Sequence, residues 1–254
     1  MKDLILSFGL CHNVSHVKSG NNSAQTEYQA SNPDEIALVK FAEEMGCKLV
    51  YRDQNTMSIE TPLKTQDNYK ILLDFPFSSE NRRMGIILKH VNTKRIIFLM
   101  KGAESIICQK VSEQNSYKIK EAAETLSLEG LRVLAFTQKL LTEHQYIQWR
   151  RQYDFASIAE NDREQQKMRV REELEAESEY VGIAGIEDKL QENVTRVVEG
   201  LKQAGIKVWM LTGDKIETAC CIGISSGLKA RTEKYAEFKN VANVKQELMV
   251  SIKK

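Results

Sequence analysis

Between Tyr69 and Met100 three apolar runs follow one another: YKILLDFPF, then MGIILKH, then RIIFLM after the turn-like VNTK. Each is too short for a long helix and rich in β-branched or aromatic residues, so each reads as a strand. A four-residue connection joins only antiparallel neighbours. An antiparallel sheet is therefore the element around which the rest must pack. LRVLAFTQKL, from Leu131, reads as a further strand. Upstream, YQASNPDEIALVKFAEEMG over residues 28–46 predicts a capped helix, with Asn32 as N-cap, Pro33 in the first helical position and Gly46 as the stop. Leu38, Phe41, Ala42 and Met45 then share one face. From Thr142 to Glu179 the pattern is helical and heavily charged, and DREQQKMRVREELEAE reads as a solvated face.

The texture changes at Tyr180. YVGIAGIE reads as a buried strand, DKLQENVTRVVEGLKQAG as an amphipathic helix through Leu190, Val194, Val197, Val198 and Leu201, and IKVWML as a second buried strand followed by another helix. Strand, helix, strand, helix is the signature of a parallel α/β unit. The expected organisation is an α+β domain over residues 1–182, an antiparallel sheet with flanking helices, followed by a partial Rossmann-like α/β piece over 183–254. Beyond Lys229 the tail is polar and carries little pattern.

Composition narrows the function classes. The 254 residues carry a net charge of +1, which argues against a nucleic-acid or anionic-membrane binder. No apolar run approaches the roughly 20 residues that span a bilayer. The start, MKDLILSFGLCHNVS, carries Asp3 and no cleavage pattern, so it does not read as a signal peptide. Five irregularly spaced cysteines suggest reduced thiols in a cytosolic setting. Cys11, His12 and His16 invite a metal reading, but no second cluster completes four ligands, and local packing is the better account.

Three stretches carry chemistry. KVWMLTGDKIETA ends an apolar run in Thr212-Gly213-Asp214 and at once begins a helix. Such a turn offers a hydroxyl and backbone N–H groups to a phosphate, while Asp214 either caps the helix or orients a bound group. Lys101 and Gly102 follow an apolar strand directly, so Lys101 either reaches into a cleft as a point charge for phosphate or is a surface turn lysine. FPFSSENRRM places Phe77, Ser79, Arg82 and Arg83 in one short connection: an aromatic face near cations suits a purine with phosphates, and the plainer reading is a core Phe before a polar loop.

Taken in order, NPDEIAL, FPFSSENRRM, KGAES, EGLR, IEDKLQ and MLTGDKIETA resemble the P-type ATPases of the phospholipid-flippase family, over roughly residues 4–228. YQASNPDEIALV and IEDKLQ resemble that branch rather than the ion pumps. The resemblance implies an ATP-binding nucleotide domain followed by part of a phosphorylation domain of the haloacid-dehalogenase type. It implies that Glu35 contacts the adenine end of ATP, although Glu35 also stands where a capping box with Asn32 would put it. Phe77 is implied to stack on adenine, Ser79 and Arg82 to make polar contacts, Lys101 to be the pocket lysine and Arg132 to lie near the phosphates. The family usually has Lys where this chain has Arg82. Thr212, Gly213 and Asp214 are implied to steady the phosphoryl group, and Asp188 to belong to the hinge-side motif.

The family's aspartyl-phosphate forms on an Asp-Lys-Thr-Gly-Thr motif, and Gly-Asp-Gly with a later Asn-Asp holds Mg²⁺; neither motif occurs in these residues, so no catalytic residue or protein ligand for the metal is expected. The resemblance therefore implies ATP, carrying Mg²⁺, as the ligand. Phospholipid and an accessory subunit would be partners of a whole pump, nucleic acid would not, and the setting would be the cytosolic side of a membrane protein. The expected start lies where a nucleotide domain begins, and the expected end partway through the phosphorylation domain. Two alternatives are a truncated, non-catalytic nucleotide-sensing or interaction module, and a soluble phosphatase, which would need an Asp-x-Asp-x-Thr motif that is absent.

Overall fold

The computed structural model of the chain describes residues 1–18, 26–187 and 189–233. Two compact units are present, Met1–Asp188 and Lys189–Lys254.

The first unit is built on one antiparallel sheet. In chain order its elements are α1 (Lys2–Leu10), β1 (Ser15–Lys18), β2 (Thr26–Gln29), α2 (Pro33–Glu44), β3 (Lys48–Arg52), β4 (Thr56–Glu60), β5 (Gln66–Phe75), β6 (Arg83–His90), β7 (Ile96–Gly102), α3 (Glu104–Ile107), α4 (Glu113–Leu128), β8 (Arg132–Leu141), α5 (Glu143–Ser157), α6 (Arg163–Glu175) and β9 (Glu179–Ile186). β1 and β2 form a separate two-stranded ribbon, and β3 to β9 form a seven-stranded sheet in sequence order. Every pairing is antiparallel, and β6 meets β7 with Ile86 opposite Leu99 and Arg83 opposite Gly102.

Alternation along the strands serves two cores. Ile86, Leu88, Leu99 and Phe136 point to the face covered by α1 and α2, where they meet Phe8, Leu38, Val39 and Ala42. Ile87, Phe98, Met100 and Ala135 point to the opposite face and meet Ile107, Ile119, Trp149 and Leu174 from α3 to α6. Covering both faces explains why MGIILKH and RIIFLM are nearly continuous apolar runs. Burial of each such Ile, Leu or Phe side chain contributes about 1.5–3 kcal/mol.

Helix α2 forms for the expected reasons. Asn32 Oδ1 accepts the Asp34 N–H at 2.9 Å, Pro33 occupies the first turn, and Gly46 adopts φ +88° just past the end. Its buried face is Glu35, Leu38, Val39 and Ala42; Phe41 and Met45, expected on that face, are about half exposed.

Two expectations change. First, the strand at 179–186 does not open a parallel unit: β9 pairs antiparallel with β8 as the last strand of the sheet. Its continuous apolar pattern arises because it too is covered on both faces. A Cβ on Gly182 would meet Leu4 at 2.7 Å, and one on Gly185 would meet Leu131 at 2.8 Å and Leu126 at 3.2 Å. Second, the charged stretch of α6 is not wholly solvated. Glu175 is fully buried, its Oε1 accepting from Arg83 Nε at 2.8 Å and Arg171 Nε at 2.7 Å, with Lys110 Nζ 3.5 Å from Oε2. Arg171 also lies over the Phe75 ring at 4.8 Å. Buried charges persist only when paired, and these pairs fasten α6 to the start of β6.

In the second unit, α7 (Val194–Gln203) and α8 (Ile216–Ser225) are the regular elements among the described residues. The helix expected from residue 188 begins only at Val194, so Leu190 lies outside it, and Asp188 lies outside the described residues. Thr195 Oγ1 donates to Ser225 O at 3.1 Å and Lys202 Nζ to Leu228 O at 3.0 Å, tying the two helices together. No strand forms at IKVWML: Trp209 and Leu211 are 82% and 95% exposed. A strand requires a neighbour to satisfy its backbone groups, and none pairs with this segment among the described residues. Amides of Ile206–Leu211 should therefore exchange with solvent far faster than those of Ile96–Met100, by orders of magnitude. Hydrogen exchange followed by mass spectrometry checks this, and equal protection would contradict it.

Candidate functional site

Glu35 is the third residue of α2, and the buried face of that helix turns its carboxylate toward the sheet. Lys101 lies two residues beyond Leu99 on β7, so alternation points it to the same face. The two meet: Lys101 Nζ donates to Glu35 Oε1 at 2.7 Å, with the side chains only 7% and 8% exposed. Glu35 Oε2 accepts the Asn13 N–H at 3.2 Å. Glu35 is thus occupied by the sheet and the α1–β1 connection rather than closing a capping box with Asn32.

Around this pair lies a pocket of about 150 Å³ lined by Asn13, Asn32, Asp34, Phe77, Met84 and Leu134, among others. Phe77 is 57% exposed, which removes the reading of a core Phe and leaves its ring available to a ligand. Arg132, at the start of β8, donates through Nη1 to Asp34 Oδ1 at 3.1 Å and Oδ2 at 3.3 Å. Asp34 also lines the pocket, so Arg132 stands at its edge behind an acid.

The connection carrying Phe77 is locked to β7 by backbone. Arg82 adopts the left-handed conformation, φ 48°. Its N–H donates to Ser78 O at 2.8 Å and its carbonyl accepts the Ala103 N–H at 3.1 Å. Gly102 permits this: a Cβ there would lie 2.7 Å from Arg82 O and 2.8 Å from Arg83 Cβ. The Lys-Gly-Ala triplet and the FPFSSENRRM stretch are therefore halves of one construction.

Of the residues singled out in the sequence, Glu35, Phe77 and Lys101 come together, with Arg132 adjoining through Asp34. Ser79 and Arg82 are exposed on the same connection and do not line the pocket. Thr212, Gly213 and Asp214 belong to the second unit. There the Thr212 hydroxyl donates to Asp214 Oδ2 at 2.9 Å and accepts the Asp214 N–H at 3.1 Å. Lys215, not Asp214, is the N-cap residue of α8, which sets aside the simple capping reading of Asp214.

Sequence reasoning missed Asn13 and Arg52, and it read His12 only as local packing. His12 is buried, and burial, reinforced by the Arg52 and Lys101 charges, holds its pKa well below the usual imidazole value, so the ring is neutral. Its Nδ1 accepts the Val14 N–H at 3.0 Å, and its Nε2–H donates to Gly9 O at 3.0 Å. Burial also pushes the Cys11 thiol up to about 11, so it stays protonated. This is packing chemistry, and among the described residues no three His, Cys, Asp or Glu side chains group as a metal site.

Residues 1–193 match the family model described as P-type ATPase, cytoplasmic domain N. The chain belongs to that family. The chain resembles phospholipid-transporting ATPases in particular. It is 40% identical over 258 residues to a probable phospholipid-transporting ATPase IIB of Danio rerio, covering 95% of this chain and 23% of the relative. It is 41% identical over 234 residues to phospholipid-transporting ATPase NEO1 of Saccharomyces cerevisiae, covering 91% and 20%. A probable phospholipid-transporting ATPase, tat-5 of Caenorhabditis elegans, is 38% identical over 248 residues, covering 96% and 23%. The chain thus spans only 20–23% of the length of these relatives. No described helix of the N domain or of the second unit is long and apolar enough to cross a membrane.

The two central side chains should behave oppositely in unfolding. Lys101→Met leaves the Glu35 carboxylate buried without its cation and should cost about 3–5 kcal/mol. Phe77→Ala removes an exposed ring and should change stability by less than about 0.5 kcal/mol. Urea denaturation of the two variants checks this; comparable losses would contradict the assignment of Phe77 to a ligand rather than to the core.

Proposed function

We propose that the pocket binds the adenine end of ATP, and that the chain is the nucleotide-binding part of a phospholipid-translocating P-type ATPase. The observation that carries this reading is the buried Lys101–Glu35 pair beside an exposed Phe77. The ion pair is neutral as a whole. A neutral, half-apolar recess suits an uncharged heterocycle better than a phosphate, whose charges would need an unshared cation. The lysine and the carboxylate offer a donor and an acceptor to the edge of a base, and Phe77 offers a face for stacking. Lys101 is thus read as part of the base pocket rather than as a point charge for phosphate.

Size supports the same division. Pockets that enclose a drug-sized ligand measure about 300–1,000 Å³. At about 150 Å³ this one is of a size for a ring; the triphosphate, with its Mg²⁺, would then lie outside it, and Arg132, paired with the pocket residue Asp34, is the residue that would meet it. Thr212, Gly213 and Asp214 are inferred to meet a phosphoryl group as part of a haloacid-dehalogenase-like phosphorylation domain; their support is the turn before α8, whose N-terminus favours an anion. In a whole pump the γ-phosphoryl would pass to an aspartate of the Asp-Lys-Thr-Gly-Thr motif, which these residues do not contain. Phospholipid transport and an accessory subunit belong to that larger protein.

Calorimetric titration tests the site. Phe77→Ala should weaken ATP binding by about 1 kcal/mol or somewhat more, roughly fivefold or greater in Kd. Incubation of the chain with γ-labelled ATP should leave no acid-stable label, since the Asp-Lys-Thr-Gly-Thr motif that would supply the nucleophile does not occur in these residues. Equal ATP affinity in wild type, Phe77→Ala and Glu35→Gln would remove this site.

A further inference from the structure

We propose that Arg52 is a positioning residue for the pocket: acting through Asn13, it fixes the orientation of the Glu35 carboxylate. The inference rests on the nucleotide reading for its consequence, but its structural step stands without a ligand.

Arg52 closes β3, an edge strand of the seven-stranded sheet, and does not line the pocket. Its Nη2 donates to Asn13 Oδ1 at 2.8 Å, and its Nη1 donates to His12 Nδ1 at 3.2 Å. One planar guanidinium thus holds two consecutive residues of the connection after α1, which suits its fixed fork of donors. The Asn13 N–H in turn donates to Glu35 Oε2 at 3.2 Å, while Glu35 Oε1 takes Lys101 Nζ at 2.7 Å. With one oxygen held by a backbone amide and the other by an ammonium, the carboxylate has a single orientation.

The connection depends on side chains for this geometry. His12 and Val14 are wholly buried, so their backbone groups need partners inside the protein. The neutral His12 ring supplies two, bridging Val14 N–H and Gly9 O, and Arg52 holds the ring and the Asn13 side chain from the β3 side. Removal of Arg52 leaves Asn13 anchored by its neighbours alone. The Asn13 amide can then leave Glu35 Oε2, and the carboxylate can rotate about its remaining contact with Lys101. Asn13 lines the pocket and, with Arg52, Asp53, Asn55 and Asp74, a second open depression of about 610 Å³. Asn13 is thus shared between the lining of the two depressions.

Two measurements on the full chain decide it. Amide exchange at Asn13, followed by NMR without nucleotide, should quicken by about tenfold or more in Arg52→Met while Leu99 is unchanged. ATP affinity should fall about fivefold in Arg52→Met, and that loss should shrink to less than about twofold when Glu35→Gln is already present. An unchanged Asn13 rate, or the same ATP loss in both backgrounds, would overturn the proposal, since a general structural role would not depend on Glu35. Should Arg52→Met fail to fold, Arg52→Lys is read in the same way, because an ammonium cannot serve both partners as the fork does; wild-type exchange at Asn13 in that variant would overturn the proposal. If wild type binds no ATP, the nucleotide reading fails, and the Asn13 rate still decides whether Arg52 holds Glu35.

Discussion

A lysine and a glutamate that are both nearly out of water determine how the rest of this domain must be arranged. Either alone would cost several kcal/mol to bury, so neither Lys101 nor Glu35 can move without the other. Lys101 is held by the β6–β8 ladder and Glu35 by the first turn of α2, so the contact fixes that helix against the sheet at one end. Further along the same face, Leu38, Val39 and Ala42 complete the docking. The recess beside the pair is a consequence of where the two chain segments converge.

The connection from Pro76 to Arg82 completes the recess, and its position also has a physical cause. Arg82 takes a left-handed backbone conformation that costs about 1–2 kcal/mol for a residue with a side chain. Its hydrogen bonds to Ser78 and Ala103 compensate, and Gly102 leaves the space. Behind it, Arg83 is tied to the buried Glu175 on the opposite face of the sheet. Phe77 is thus carried on a short segment anchored at its far end by backbone and by a buried ion pair. This is the usual arrangement for a binding side chain, exposed itself but mounted on a rigid support.

Much of this was legible in the sequence because apolar periodicity reports burial directly. The β6–β7 hairpin, β8 and the caps of α2 follow from patterns of one or two turns or a few alternations. Glu35, Phe77 and Lys101 were found by motif, while their convergence was not, since it depends on pairings between residues 66 positions apart. The Glu175 cluster was hidden because a helix that buries its charges in pairs has no apolar stripe to betray it. Strand 179–186 was placed in the wrong kind of sheet for an instructive reason: two-sided burial gives the same continuous apolar run whether the neighbours are parallel or antiparallel. IKVWML looks like a strand and forms none, because a strand is a property of a pair of segments and composition describes only one. Asn13 and Arg52 carry no motif, and their roles come from hydrogen bonds between distant elements.

The central claim is that Lys101 and Glu35, as a neutral pair, hold a base and not a phosphate. The most direct test is NMR of the chain saturated with ATP, reading proton–proton contacts from the adenine ring and the phosphorus shifts together. The account predicts contacts from the adenine protons to the Phe77 ring and to the Lys101 methylenes. Adenine protons with no contact to either residue, and a phosphate resonance that shifts when Lys101 is replaced by Met, would contradict it.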